Sequence, residues 1–302
     1  MNIIITGSNG FIGGNVCRWF HEREEFMIGI GRHKQSLTNV DEYICCNLAS
    51  DDCLDILRSR INKKIDAVIH LAADLRMEPY ERQVLYSNCV GTQQVLEYCY
   101  QTKVPVFVQL SSLPLIGKPV QNPITEEHPL NPPTVYHISK KTQEFLADYV
   151  YYTHNLQTVS FRISTPIGIG GDSKRILPLF VHNAIKGKDL ILYGKGTQKQ
   201  NYIHVDDISQ AIYKAIYSKA HGVFNLGSNN VYSNYEIAQQ CIQITKSSSK
   251  IVYSNREDPM DDCVWNVSLD KIKKHIGYEP RVSIESMIDE IYRYILRNGE
   301  YV

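Results

Sequence analysis

The chain has 302 residues, 43% of them apolar and 21% charged, enough to bury a core in one large domain or two smaller ones, which excludes disordered, collagen-like and miniprotein readings. The 32 Lys and Arg balance 32 Asp and Glu, so no bulk charge attracts nucleic acid or an anionic membrane, and any anionic partner must be held locally. No apolar stretch approaches the roughly 20 residues of a membrane-spanning helix.

From the first residues onward, apolar runs bounded by turn residues predict strands at 2–6, 26–31, 42–46, 67–71, 106–111 and 158–163. Helical patterns alternate with them at 11–22, 53–62, 84–100 and 135–153. This βαβ rhythm predicts an α/β fold with a doubly wound parallel sheet covered on both faces. After Arg162 the pattern changes to shorter pieces punctuated by Gly and Pro, at 165–168, 190–196, 223–227 and 229–234, which predicts a smaller C-terminal α/β lobe. No internal repeat is present. No basic leader or cleavage site precedes the first strand. The eight cysteines include no C-x-x-C pair, so a cytoplasmic protein with mostly buried, free thiols is expected.

Thr6-Gly7-Ser8-Asn9-Gly10-Phe11-Ile12-Gly13 leaves the first strand and opens the first helix. Gly7 permits the sharp turn, Gly10 lets a pyrophosphate reach the backbone, and Gly13 lets the helix pack close to the strand, with the phosphates at the helix N-terminus. A glycine triplet alone also fits an ordinary tight turn. The strand before it and the helix after it favour dinucleotide binding in a Rossmann-type sheet. The second strand ends in Gly31-Arg32-His33-Lys34, where a carboxylate would bind the adenosine ribose hydroxyls of NAD. Arg32, with His33 or Lys34, instead suits the 2′-phosphate of NADP. NADP is therefore favoured, NAD stays open, and a solvated basic turn is the plain alternative.

Tyr136-His137-Ile138-Ser139-Lys140 sets a tyrosine and a lysine four residues apart, on one face of a helix. A nearby ammonium favours phenolate and is expected to lower the Tyr136 pKa from its usual value of about 10. An acid/base for an alcohol and ketone pair requires that. The pair alone is common on surface helices. Upstream, however, a strand ends in Ser111-Ser112, placing a hydroxyl at the carboxyl end of a parallel strand, where ligands bind.

With these residues the chain resembles the extended short-chain dehydrogenase/reductases, specifically the nucleotide-sugar epimerase and dehydratase group, over nearly its whole length. The resemblance rests on the glycine loop, Asp66-Ala67-Val68-Ile69-His70-Leu71-Ala72-Ala73, Asn88-Cys89-Val90-Gly91-Thr92, Ser111-Ser112 with Gly117, and Tyr136 with Lys140. It continues through residues 162–168, Tyr193-Gly194-Lys195-Gly196, Tyr202-Ile203-His204-Val205-Asp206-Asp207 and Phe224-Asn225-Leu226-Gly227. It implies Ser112 as the catalytic hydroxyl, Tyr136 as the acid/base, and Lys140 as the residue that also holds the nicotinamide ribose. Asn88 would support the active-site helix. His70 would lie along the cofactor, although its residue type alone favours a satisfied buried histidine. The implied cofactor set is Gly7, Asn9, Gly10, Phe11, Ile12, Gly13, Arg32, Asn47, Leu48, Leu71, Ala72, Ala73, Asn88, Tyr136, Lys140 and Ile163. Residues 1–164 would form the dinucleotide-binding domain with Ser112, Tyr136 and Lys140, and 165–302 mainly a substrate-binding lobe, with some segments returning to the first domain.

Departures from the family pattern narrow the chemistry. Relatives that eliminate water carry Asp-Glu directly after the catalytic Thr, whereas Ser112 is followed by Leu113 and Pro114, which move no proton. A 4,6-dehydratase is therefore disfavoured, as is a decarboxylase, which would carry Glu at position 114. Ile116 and Ile167 replace the usual tyrosines before Gly117 and Gly168, Thr165 replaces a substrate-binding Asn, and Gln200, followed by Asn201, replaces an Arg that grips the substrate pyrophosphate. Substrate contacts are expected from Ser112, Thr165, Gln200 and Arg256, with Lys174 and Arg175 as further phosphate candidates or plain surface charges.

Two active readings follow: an NADPH-dependent reductase of a keto-sugar nucleotide, and a nucleotide-sugar 4-epimerase with tightly held NAD. A non-catalytic, cofactor-binding sensor is a third, against which the intact Ser112, Tyr136 and Lys140 argue. The helices at 84–100 and 135–153 resemble those that pair in the family's dimer, with Tyr98, Tyr100, Tyr149, Tyr151 and Tyr152 as aromatic surface. A homodimer with a nucleotide-sugar substrate is expected, with no nucleic acid, membrane or metal partner.

Overall fold

The computed structural model describes residues 1–78 and 81–301. Strands β1 (Asn2–Thr6), β2 (Phe26–Gly31), β3 (Glu42–Cys45), β4 (Ala67–His70), β5 (Val106–Ser112) and β6 (Gln157–Ile163) alternate with helices α1 (Phe11–His21), α2 (Cys53–Arg60), α3 (Arg82–Leu85), α4 (Gly91–Gln101) and α5 (Val135–His154). The chain continues through β7 (Thr165–Ile167), α6 (Ile176–Ile185), β8 (Leu190–Leu192), β9 (Lys199–His204), α7 (Val205–Tyr217) and β10 (Gly222–Leu226). Last come β11 (Val231–Ser233), α8 (Asn234–Thr245), β12 (Ile251–Tyr253), α9 (Asp270–Ile276) and α10 (Ile284–Asn298).

Seven parallel strands build the main sheet in the order β10-β6-β5-β4-β1-β2-β3. Ile3, Ile4 and Ile5 follow one another in β1, as suits a strand buried on both faces. Because side chains alternate along a strand, Ile3 and Ile5 pack with Phe20 of α1 and Ile208 and Ile212 of α7 on one side. Ile4 packs with Leu57 of α2, Leu96 of α4 and Val150 of α5 on the other. The sheet is thus doubly wound. Its order reverses at β1, flanked by β2 and β4, and the crevice beyond their carboxyl ends is where such sheets bind ligands.

Strand β10 and helices α7 and α9 come from beyond residue 164 yet belong to this sheet and its core, α9 through Ile272 and Ile276. The other C-terminal elements form a three-stranded sheet, β11-β9-β7, and a two-stranded ribbon, β12-β8, around a separate apolar core of α6, α8 and α10 that includes Phe180, Ile237 and Ile288. All eight cysteines are free, and Cys17, Cys46, Cys53, Cys99 and Cys241 are buried. Among the described residues no helix is long and apolar enough to cross a membrane, and none of their His, Cys, Asp and Glu side chains group to hold a metal ion.

Candidate active site

The chain leaves β1 and turns at Gly7, which adopts φ +70° and donates its N–H to the Ile30 carbonyl at 2.7 Å. A Cβ on Gly7 would lie 2.7 Å from the Ala72 nitrogen, and one on Gly13 would lie 2.0 Å from the Gly7 carbonyl oxygen. Backbone packs on backbone here, which only glycine allows. Gly10 caps α1 without a side chain, and the first turn of the helix carries no acid. The N–H groups of Phe11, Ile12 and Gly13 are therefore left to an anion. This cradle fits a dinucleotide diphosphate.

Other residues assigned to the cofactor from the sequence surround the cradle. Leu71 and Ala72 each donate an N–H to the Thr6 hydroxyl at 3.2 Å, which lays the loop after β4, with half-buried Ala73, across the glycine turn. Asn9 ties the cradle to the turn after β2 by accepting from the Leu37 N–H at 2.9 Å. Arg32 is exposed in that turn. The Asp74 carboxyl is held below its ordinary range, first by its hydrogen bond from Arg76 and to a lesser degree by the charge of Arg32. Beyond β3, Asn47 is exposed and Leu48 is buried against Gly91. Ile12 packs on the main core, and Ile163 pairs with Ser112 across β6 and β5.

Lys140 and Tyr136 of α5 pack at the carboxyl end of β5, the strand that Ser112 closes. Lys140 Nζ donates to the Leu110 carbonyl at 2.8 Å, two residues before Ser112, and lies 5.8 Å from the Tyr136 ring centre. All three are buried. Ser112 does not cap the 3₁₀ turn that follows it, Leu113–Ile116, so its hydroxyl remains available to a ligand. Burial pushes the Lys140 pKa down to about 8.

The expected lowering of the Tyr136 pKa is not found. Burial pushes it up to about 12, with the charge of Arg175 opposing. The cost of desolvating a phenolate wins because the ammonium of Lys140 is engaged by a carbonyl and stands well off the ring. Tyr136 is therefore a protonated donor at neutral pH.

Three buried polar networks position this group, and of their members only Asn88 and His70 stand out in the sequence. Asn88, in the π turn Tyr86–Val90 between α3 and α4, donates to the Ser139 hydroxyl at 2.9 Å. His70 uses both ring nitrogens, toward Thr6 Oγ1 at 2.8 Å and Thr92 Oγ1 at 2.9 Å. Burial, with the charge of Lys140, pushes its pKa down to about 3, so it is a satisfied neutral histidine. Behind Ser111, Arg162 makes paired hydrogen bonds with Glu144 at 2.9 Å each, and Glu144 also accepts from the Ser111 hydroxyl at 2.7 Å. Burial works to raise the Glu144 carboxyl, but Arg162 and Ser111 overcome it and hold the group charged.

Thr165 and Gln200, expected to contact substrate, lie in adjacent strands, and the Thr165 hydroxyl donates to Gln200 Oε1 at 3.4 Å. Arg175 caps α6 and is exposed, as is Lys174. The Arg256 guanidinium stands 5.0 Å from the Tyr193 ring centre. Its loop is tied to the segment after the 3₁₀ turn by Lys118, which donates to the Pro259 carbonyl at 2.8 Å.

Solved structures share this arrangement of the chain. A UDP-glucose 4-epimerase from Thermotoga maritima, solved with UDP-glucose, superposes with a TM-score of 0.90 at 22% identity, covering 99% of this chain and 100% of that one. A dTDP-glucose 4,6-dehydratase from Bacillus anthracis in complex with NAD gives 0.82 at 24% identity, covering 99% and 97%. Among curated sequences, a dTDP-glucose 4,6-dehydratase from Streptomyces niveus is 25% identical over 97% of this chain and 93% of its own. The profile of the NAD dependent epimerase/dehydratase family matches residues 3–227. That span takes in the glycine cradle, the carboxyl end of β5 and the Tyr136 to Lys140 turn, and the chain belongs to the NAD dependent epimerase/dehydratase family.

Proposed function

We propose that the protein is an NADP-dependent ketoreductase acting on a keto sugar linked to a nucleotide diphosphate. The observation that carries the reading is the buried group at the carboxyl end of β5, where Lys140 Nζ donates to the Leu110 carbonyl at 2.8 Å beside the Tyr136 ring and two residues from Ser112. The neighbouring Leu113 and Pro114 add no group able to move a second proton. The nicotinamide dinucleotide, when bound, supplies a hydride to the carbonyl carbon. Tyr136 would give its proton to the carbonyl oxygen and regain one from water, Ser112 would orient that oxygen, and Lys140, tied to the Leu110 carbonyl, would hold the cofactor ribose beside them. Gly31 and Arg32 at the end of β2, with no carboxylate among residues 31–34, support NADP. The nucleotide-sugar class is supported by the UDP-glucose and dTDP-glucose enzymes among the relatives, with Arg256, Lys174 and Arg175 as the candidate cations for a diphosphate.

A second reading is a nucleotide-sugar 4-epimerase with tightly held NAD, favoured by the epimerase among the solved neighbours. Ser112, Tyr136 and Lys140 serve both, since a ketone and an alcohol differ only in the direction of transfer. The deciding experiment releases any nucleotide from freshly purified protein, identifies it by mass, and titrates the emptied protein with NADPH and NADH. Copurifying NAD supports the epimerase. An empty protein that binds NADPH far better than NADH, and oxidises it only with a keto-sugar nucleotide present, supports the ketoreductase.

A further inference from the structure

The turn that carries Arg32 is held by a residue with no assigned role. Tyr43 lies in β3 beside Gly29 of β2. Its hydroxyl donates to the His33 carbonyl at 3.1 Å and accepts from Asn9 Nδ2 at 3.2 Å. Asn9 also donates to the Gln35 carbonyl at 3.1 Å and accepts from the Leu37 N–H at 2.9 Å. Residues 33–37 are thus fastened to the glycine cradle at three points, with Arg32 at their near end. The same hydroxyl also occupies the end of β2. A Cβ on Gly31 would meet it at 2.8 Å, whereas the next atom of the ring, Cζ, would be at 3.7 Å. The hydroxyl is the one atom closer to that Cβ than ordinary contact distance.

We propose that Tyr43 is a positioning residue for cofactor specificity, its hydroxyl fixing the Arg32 turn for the 2′-phosphate of NADP while taking the space that a ribose-binding carboxylate at position 31 would need. The inference rests on the NADP part of the function proposed above. It makes Tyr43 and a carboxylate at position 31 alternatives. An acid introduced there displaces the phenol hydroxyl from its partners through its Cβ, and a phenylalanine at position 43 leaves that Cβ at ordinary contact distance from the ring.

The test measures the Kd of NADPH and of NADH by nucleotide fluorescence for the wild type, Tyr43→Phe, Gly31→Asp and the double variant. A purely structural role for Tyr43 would weaken both nucleotides alike, so the ratio of the two constants is the readout. Tyr43→Phe is expected to weaken NADPH about fivefold, the scale of one net hydrogen bond, with NADH changed by less than about twofold. The double variant is expected to bind NADH about tenfold better than Gly31→Asp alone, the scale of a charge-assisted hydrogen bond. Should Tyr43→Phe fail to fold, Gly31→Ala applies the same displacement through its Cβ and lowers the NADPH preference likewise.

A wild type that prefers NADPH but shows the same preference in Tyr43→Phe or Gly31→Ala overturns the inference and leaves the NADP reading standing. So does a Gly31→Asp variant that gains NADH as well as the double variant. A wild type that prefers NADH overturns both.

Discussion

Asn88 and Ser139 are joined by a 2.9 Å hydrogen bond from an amide to a hydroxyl, and that bond couples the loop after β4 to helix α5. Ser139 passes the contact on by donating to the Tyr136 carbonyl at 2.7 Å. On its other side Asn88 accepts the Asp74 N–H at 2.7 Å and donates to the Asp74 carbonyl at 3.0 Å. One buried side chain therefore fixes the loop after β4 and the first turn of α5 together. Asn88→Ala leaves these groups unpaired, and an unsatisfied buried polar group costs roughly 1–3 kcal/mol. Urea unfolding should show a loss of about that size. In protein that remains folded, kcat should fall more than cofactor affinity, because the misplaced group is Tyr136. Equal stability and equal kcat would remove Asn88 from any positioning role.

Tyr136 and Lys140 should separate by what each variant loses. Tyr136→Phe removes only the hydroxyl, so turnover should fall by about 10²–10⁴, the span of one general acid, while NADPH affinity stays within about threefold. Lys140→Met should lose turnover and cofactor affinity together. The Lys140 pKa of about 8 sets the sign of the pH dependence. The ammonium is present below pH 8 and is lost above it, so NADPH binding should weaken between pH 7 and pH 9. Affinity that is flat across that window in wild type, measured by titration at several pH values, would mean that the lysine charge does not hold the cofactor.

Much of this architecture is legible in the amino-acid pattern alone. The strand at 2–6 is announced by three consecutive isoleucines and the one at 26–31 by its apolar run, and both bounds agree with the folded chain. The pattern predicts a smaller α/β lobe but places no individual helix beyond residue 153, where α6 to α10 lie. Their apolar faces meet largely within the small lobe, and their short spacings between Gly and Pro hide the period. Helix α8 had a readable start, because Ser233 and Glu236 form a reciprocal capping box, the signature of Ser three residues before Glu. The predicted helix at 84–100 is interrupted by the π turn around Asn88, which a 3.6-residue period does not reveal. Spacing puts Tyr136 and Lys140 on one face of α5, where they lie together, but it does not give the phenol pKa, because desolvation depends on what the rest of the chain packs over it. Tyr43 reads in sequence as an ordinary strand aromatic, and only its hydrogen bonds to the turn after β2 distinguish it.

His70 supplies a stability switch unrelated to turnover. Its pKa falls from 6.5 in an unfolded chain to about 3 in the folded one, so between these values the unfolded state binds the extra proton. Stability contributed by the neutral imidazole is complete above pH 6.5 and is lost as the pH falls toward 3. Between pH 6.5 and pH 5 the loss should reach about 2 kcal/mol from this group alone. His70→Asn should be less stable at pH 7, since Thr6 and Thr92 lose a partner, but its stability should decline less over that interval. Parallel urea curves for the two proteins at pH 7 and pH 5 would show that another group governs the acid limb.

The outer face of α5 bears on assembly. Ile138, Phe145, Tyr149 and Tyr152 expose 48%, 61%, 61% and 78% of their surface, and their spacing of seven, four and three residues puts them on one stripe. Leu85 and Tyr86, from the neighbouring helical segment, are exposed as well. The five tyrosines expected at an interface divide: Tyr98 is buried in the core, Tyr100 stacks on His154 and Tyr151 on His221, which leaves Tyr149 and Tyr152 projecting. A stripe of this composition fits a second copy of the same helices related by a twofold axis, the isologous contact of a homodimer. Light scattering of the wild type at micromolar concentration should then give twice the single-chain mass. Phe145→Glu combined with Tyr149→Glu should give the single-chain mass with an unchanged far-ultraviolet spectrum, because both side chains face outward and carry no core packing. A wild type already at the single-chain mass would show that α5 keeps its apolar stripe in solvent.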